Sequence, residues 1–424
     1  MHSFFSILNK GFTAGVCLCA FLGATDRLLG QFDPSVSMTG VEAANVARDA
    51  RQQIDDSEAT VRVGKVSFRI AAGLRQEYND NINLAATGRE HDFITSPHLT
   101  LGMHWPISQL NSLDLVLGIS YSKYWEHPSL DSDSVLISPS TMLDFNVYVG
   151  DVHINVHDIP SIQQDPISTS QLSNVTTFRR LSNTAGIAAD WDLNKFIVGA
   201  GYDYTIFRSL ESDFDYLDQD THDFHGRIGY RFAPQLTFGV QGSYIITEYQ
   251  QNVQNNGDTW SAGGYADAIL SEYLRGSASV GFQGSVFDNN GTIGDTSSFN
   301  SVVFSATLNN QLNRWLNHAL TLRRYTTLGI GTNFTDVYRA DYSLNVEVIQ
   351  QVTTSLNFFH EWFADSAGFA GQKGTRWGVG PTLGYQVTPS TRLTIGYQRT
   401  ERDANFDFSD YTQNVAFIDL NHQF

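Results

Sequence analysis

Cysteine is almost missing. The chain holds two in 424 residues, Cys17 and Cys19, both near the N-terminus. Beyond them a disulfide, a thiolate nucleophile and a cysteine zinc site are all ruled out. Charge is sparse as well, at 17% of residues against the ~25% usual for soluble domains. What charge there is sums to −18, which repels phosphate and argues against a nucleic-acid partner. Past the N-terminus no apolar run approaches the ~20 residues of a spanning helix. Disorder is excluded in turn, because Phe, Trp and Tyr make up 12% of the chain and disordered chains are poor in them. What remains is an all-β composition rich in aromatics, Gly, Asn, Ser and Thr.

Residues 1–24 read as a secretory signal. Lys10 precedes the apolar stretch from Phe12 to Ala24, and Thr25-Asp26-Arg27 turns polar at once. The stretch is too short for an anchor, and Ala20 or Ala24 would be the last residue removed. Val16 and Leu18 stand before the two cysteines, which disfavours a lipoprotein. Residues 25–64 differ in character from the long remainder of the chain. Val41 to Ser57 is Ala-rich without strand alternation and reads as a short helix or mobile periplasmic arm, a plug in a lumen being the alternative.

From Lys65 to Phe424 apolar and polar residues alternate between turn signals. Leu113, Leu115, Leu117, Ile119 and Tyr121 form one such run, and Phe196, Val198, Ala200, Tyr202, Tyr204 and Ile206 another. A third contains Tyr338, Ala340, Tyr342, Leu344, Val346 and Val348. Period two sends each set to its own face of a strand. About 18 such segments (16–18) fit the length, each longer than the ~5–6 residues typical of soluble sheets. They suffice for the ~9–11 tilted residues of a membrane-crossing strand. Connections alternate long and short. Long ones fall near 79–90, 126–134, 159–177, 209–219, 249–256, 288–297, 330–335, 365–372 and 403–410, and the short ones include Gly150-Asp151, Ala233-Pro234, Gln350-Gln351 and Thr388-Pro389.

That parity predicts a transmembrane, antiparallel, up-and-down β-barrel with short periplasmic turns and long extracellular loops, in a bacterial outer membrane. A lumen of that width cannot be filled by side chains, so the apolar face points to lipid, where it reads as unbroken by Asp or Glu over its middle. Trp105, Tyr124, Trp125, Tyr148, Trp191, Tyr230, Phe232, Trp315, Trp362 and Trp377 gather at segment ends and suit two interfacial girdles. The chain ends Ala416, Ile418, Leu420, His422, Phe424 in alternation. This is similar to the C-terminal signal by which bacterial outer-membrane proteins engage the barrel-assembly machinery; the expected signal residues are Ile418, Leu420, His422 and Phe424.

The first strand ends Leu74-Arg75-Gln76-Glu77-Tyr78-Asn79-Asp80-Asn81-Ile82. An aromatic followed by Asp-Asn-Ile, leaving the first strand of a signal-bearing barrel, resembles the putative β-barrel porin family two. The resemblance covers Lys65 to Phe424 and implies a barrel with a transport role, in some members beside exopolysaccharide export. Read physically, Asp80-Asn81 is turn chemistry at the mouth of the first loop.

No catalytic constellation emerges. Gly-x-Ser-x-Gly, His-Glu-x-x-His and a phosphate loop are all missing from the sequence, and neither enzyme activity nor a cofactor is expected. His153 and His157 share a strand face but lie ~13 Å apart along it, and they read as polar residues facing lipid or the interface; no metal site is assigned. His222 and His225 fall on opposite faces. Inward parity selects Arg227, Arg231, Arg323, Arg339, Asp341, Glu347, Glu361, Arg376, Arg392 and Arg402 as pore-lining residues. Opposite charges on neighbouring strands should pair, stiffening the wall or setting a transverse field across a constriction. Acids concentrate in long loops: Asp131 and Asp133; Glu211, Asp213, Asp215, Asp218 and Asp220; Asp403, Asp407 and Asp410.

The expected function is passive diffusion of small hydrophilic solutes with a mild cation preference. An exopolysaccharide-export conduit, with Tyr325, Phe359 and Phe363 facing a polysaccharide, is one alternative, and a non-conducting adhesin or scaffold another. Outer-membrane lipid, lipopolysaccharide and the assembly machinery are the expected partners. The segment 159–177, the longest connection, is the expected constriction.

Overall fold

Alternation becomes strand wherever a turn residue permits reversal. Gly150 adopts φ +61°, and Asn194 adopts φ +69°, left-handed conformations that close tight connections on the short-turn side. The computed structural model describes residues 59–165, 175–366 and 371–424. The expected signal segment, and all of the 25–64 arm before residue 59, lie outside these.

Eighteen strands make the wall. They are β1 (Val66–Asn79), β2 (Asp92–Pro106), β3 (Ser112–Ser120), β4 (Met142–Val149), β5 (Val152–Gln163) and β6 (Arg180–Asp192). Next come β7 (Phe196–Ser209), β8 (Gln219–Ala233), β9 (Leu236–Tyr249), β10 (Gly257–Ile269), β11 (Leu274–Phe287) and β12 (Phe299–Asn313). The last six are β13 (Leu316–Leu328), β14 (Phe334–Ile349), β15 (Val352–Asp365), β16 (Lys373–Thr388), β17 (Thr391–Ala404) and β18 (Tyr411–Gln423). Each pairs antiparallel with the next. β18 pairs back onto β1, from Ala71 opposite Gln423 to Asn79 opposite Val415, so the sheet closes and has no free edge. Before β1, Val61–Val63 folds against it as a short hairpin.

The two faces differ as a membrane wall requires. Leu74, Val156, Ile187, Val198, Ile228, Val240, Val280, Phe282, Leu322, Ile395 and Ile418 are all exposed on the outside. An apolar surface of that extent is not left in water. Buried polar side chains such as Asp114, Asn155, Thr221, Thr247, Ser285, Ser355, Thr382 and Thr400 occupy the inner parity.

The expected faces need correction at several places. Tyr124 is not a girdle residue: it is buried with Ile82 and Ile94 inside the long-loop side, with Leu130 against it, because the chain after β3 folds inward. The apolar face is interrupted at Asp158, whose carboxylate accepts a bond of 2.8 Å from Asn183 Nδ2 on the neighbouring strand. Closer to the loops, Arg324 and Asp336 also face outward and pair at 2.8 Å. A charge on this face is tolerated where a neighbour neutralises or hydrogen-bonds it.

The Asp-Asn-Ile motif is turn chemistry that also closes the barrel seam. Asp80 accepts bonds of 2.6 Å from both the backbone N–H and Nδ2 of Asn414 on β18. Asn81 is fully buried. Its Nδ2 donates to the Ala85 and Thr412 carbonyls, and its Oδ1 accepts from the Ala85 N–H.

Candidate functional site: the lumen wall and its mouth

Register lines up charged residues from five adjacent strands. Arg323 faces Arg339 across β13 and β14, Arg339 faces Glu361 on β15, Glu361 faces Arg376 on β16, and Arg376 faces Arg402 on β17. Four like charges at one level would repel, and two carboxylates hold them. Glu361 accepts from Arg339 Nη1 at 3.0 Å and from Arg376 Nε at 2.6 Å. Asp341 accepts from Arg339 Nε at 2.8 Å and lies 3.5 Å from Arg323. Arg402 donates to Gln372 at 2.8 Å. The rings beneath are platforms for these cations: Arg339 sits 4.4 Å over Phe359, Arg402 4.4 Å over Phe363 and Arg323 5.0 Å over Tyr325. Phe359 and Phe363 are therefore buried and offer no open face for a sugar.

The other selected residues lie apart from this row. Arg227 pairs with Asp190 at 2.8 Å and Arg231 with Asp192 at 3.2 Å, the latter at the short-turn rim. Arg392 donates to Thr353 at 2.5 Å. Glu347 lies near the short-turn end of β14.

The opposite wall carries acids and imidazoles. In an 18-strand ring β5 stands across from β14, and β8 across from β17. His153 and His157 face inward here, correcting the reading that placed them toward lipid or the interface. His153 meets Asn146 at 2.7 Å, and buried His157 meets Asp203 Oδ1 at 2.9 Å. His104 bonds Asp114, and Asp144 accepts from Asn146 and Asn155. Asp203 on β7 stands directly opposite Asp223 on β8, and both are 2% exposed. Sequence reasoning missed this pair. Each residue's parity was legible, but their juxtaposition depends on register across a nine-residue loop, 210–218.

Loops fold over the long-loop mouth. Phe178, before β6, packs with Phe207 of β7, Leu217 of the β7–β8 loop and Ile330 of the β13–β14 loop. Ile330 thus reaches a group of strands about six positions away around the wall. A polar latch joins four connections, the β13–β14 loop again among them. Asn255 donates to the Asp295 carbonyl and to Asn333 Oδ1, each at 2.8 Å. Asp295 accepts the Asn333 backbone N–H at 2.9 Å, the Ser297 N–H at 2.8 Å and the Ser366 hydroxyl. Burial pushes the Asp295 carboxyl up, but these bonds outweigh it and hold it below its ordinary range. Of the segment 159–177, expected as a connection, residues 159–163 belong to β5 and residues 166–174 lie outside the described residues; Val175 packs against the cluster formed by Phe178, Phe207, Leu217 and Ile330.

Several loop acids shape the loops. Asp131 accepts from Lys123 Nζ at 2.5 Å and from the Tyr124 N–H at 2.8 Å. Asp133 pairs with Arg179, whereas Asp220, expected in the loop, lies on the outer face of β8 and pairs with Arg208 of β7. Asp218 accepts the Ser209 N–H, and Asp410 the Ala404 N–H. Asp213, Asp403 and Asp407 stand exposed. Reaching from the acid wall to the arginine row, a cavity of about 400 Å³ is lined by Thr205, Thr221, Ser243, Ser261, Ser285 and Arg323, among others.

Comparison with solved structures finds outer-membrane barrels of low sequence identity. One is Pseudomonas aeruginosa OpdK solved with vanillate, at 11% identity and a TM-score of 0.47, with 84% of this chain and 99% of that chain covered. Another is Pseudomonas aeruginosa OccK2 (OpdF) in complex with glucuronate, at 10% identity and a TM-score of 0.49, with 85% and 99% covered. No curated protein of similar sequence was found. The family model described as "Putative beta-barrel porin 2" matches residues 58–424, and together with the closed wall and its apolar outer face it places the chain in that family, as a porin-like β-barrel of the bacterial outer membrane.

Proposed function

We propose that the barrel is a passive channel for small hydrophilic solutes with a mild cation preference. One observation carries this reading: charge is spread unevenly over the inner face. Acids and imidazoles predominate on β3–β8, where Arg227 and Arg231 are paired with Asp190 and Asp192, and the arginine row, with Asp341 and Glu361 between its cations, occupies β13–β17 on the far side. Such a distribution sets a field across the lumen, which turns polar solutes and raises the barrier to apolar ones. Exposed Asp213 and Asp407, in the long loops, concentrate cations at the mouth, the basis of the preference. The folded loops narrow that mouth, so selection by size precedes selection by charge. The ten charged residues chosen by parity line the proposed path, with the arginine row as its most constricting charged feature.

Assembly fits the same reading. Ile418, Leu420 and Phe424 point outward, His422 lies edge-on to Phe424 at 5.0 Å, and the Phe424 N–H donates to the Ile70 carbonyl. This is a strand end the assembly machinery could read before the seam closes. The outward Arg208–Asp220 and Arg324–Asp336 pairs near the long-loop rim suit lipopolysaccharide headgroups. The export-conduit alternative loses its aromatic track, since Phe359 and Phe363 lie beneath guanidinium groups.

The test is single-channel recording of the refolded barrel in a planar bilayer under a salt gradient. Discrete conductance steps with a reversal potential on the cation side are expected. A barrel that is folded but silent would overturn the channel and leave the scaffold reading in its place.

A further inference from the structure

The register sets His157, Gly186, Asp203 and Asp223 side by side across β5, β6, β7 and β8. His225, two residues along β8, shares their inner face. Two buried carboxylates directly opposite on neighbouring strands repel, and burial of an unpaired charge is costly. The wall does little to relieve this. Both carboxylate oxygens of Asp223, Asp203 Oδ2 and His225 Nδ1 are buried without a hydrogen-bond partner among the described residues. Asp203, Asp223 and His225 each offer a ligand atom, all within 4.8 Å of one another.

Two glycines make room for the cluster. A Cβ at position 186 would stand 1.9 Å from Asp203 Oδ1 and 2.5 Å from His157 Nε2; one at position 201 would stand 2.2 Å from His225 Nε2. The surroundings are ordered as an outer shell. His157 holds Asp203 Oδ1 through Nε2 at 2.9 Å, and its Nδ1 meets Asn155 Oδ1 at 2.9 Å. Asn155 is oriented in turn by its Nδ2 bonds to Asp144 and Asn146. This leaves Asp203 Oδ2 turned toward His225 Nδ1, 3.5 Å away. Arg227, the nearest cation on β8, is committed to Asp190.

We propose that Asp203, Asp223 and His225 form a binding site for one divalent first-row transition-metal ion in the lumen wall. Two carboxylates with one imidazole suit Zn²⁺ or Mn²⁺ rather than Mg²⁺ or Ca²⁺, which take oxygen ligands. The ion neutralises the facing aspartates and occupies the unpartnered oxygens and Nδ1. Thr205 and Thr221, two residues along from the aspartates, line the lumen cavity, through which water would complete the coordination. His157 is a positioning residue, acting on the ion through Asp203. The site stands independently of conduction, since a blocked barrel would hold it equally well.

The experiment uses the full barrel, folded as judged by heat-modifiable gel mobility, stripped with chelator and dialysed against Zn²⁺ or Mn²⁺. Wild type should retain one equivalent of one of the two ions and unfold at higher temperature with it. Asp223→Asn and His225→Ala should each abolish retention, while Asp151→Asn in the exposed turn between β4 and β5 leaves it unchanged. His157→Gln should weaken binding about 10- to 100-fold. Should the variants misfold, electron spin-echo modulation of Mn²⁺ bound to wild type should show one imidazole nitrogen. Failure of wild type to retain either ion, retention by the Asp223 and His225 variants, or bound Mn²⁺ without a nitrogen signal would each overturn the proposal.

Discussion

Glu361 shows how one residue sets the character of a wall. Its carboxylate lies directly between Arg339 and Arg376 and touches both. Removing one partner of a buried ionic network leaves the others uncompensated, at a cost of about 3–5 kcal/mol. Glu361→Gln is therefore expected to lower barrel stability by that order while removing one of the two carboxylate charges from the arginine row. The reversal potential of the refolded variant should move toward anions; no movement would mean that this row does not face the conducting path. Asp295 argues at the same scale about pH. Its carboxyl is held below the ordinary range in the folded loops, so its stabilisation is complete above the unfolded carboxyl value of ~3.9. That stabilisation is lost as pH falls through the lower, folded value. Protection of the Asn333 and Ser297 amides, measured against their intrinsic exchange rates at each pH, should thus stay high at neutral pH and fall only in acid. Asp295→Asn should weaken the latch by about 1–3 kcal/mol and flatten that acid dependence.

Among the elements, β1 and β18 are the pair that chain order leaves farthest apart. Their seam is fastened by Asp80 on Asn414 and by Asn81 on Thr412. Asn81→Ala would strand the Ala85 N–H and carbonyl in a buried site, where an unmet bond costs about 1–3 kcal/mol. The variant should unfold at a lower temperature by gel mobility, with little change in strand content by circular dichroism. An unchanged transition would show that backbone pairing of β1 with β18 alone sustains closure. Strand positions were legible because each strand's information is local: alternation, then Gly150 or Asn194 at the reversal. Parity likewise identified the inner face of β13–β17. The same rule holds for β5, whose odd residues carry Asn155, His157 and Ser161, but two histidines taken apart from their strand do not reveal it. The outward Asp158 was hidden for a different reason, since its partner Asn183 belongs to the next strand.

For the whole molecule, the long-loop mouth decides how open the lumen is. Ile330 seals against Phe178, Phe207 and Leu217, joining loops far apart in sequence. Ile330→Ser should loosen this seal and raise single-channel conductance, with more frequent substates, while the barrel's thermal transition moves little. Unaltered conductance would place the narrowest point deeper, at the arginine row. The sequence by itself determined the approximate strand number, the direction of each strand, the side on which loops are long, and which face meets lipid. These follow from period-two alternation and turn residues, which act over a few neighbouring positions. Only the tertiary structure decided that Asp203 faces Asp223, that Gly186 lets His157 reach Asp203, and that four loops latch through Asp295 and Asn333. Those outcomes depend on register and on contacts between segments tens of residues apart, where a shift of one residue turns every side chain to the other face.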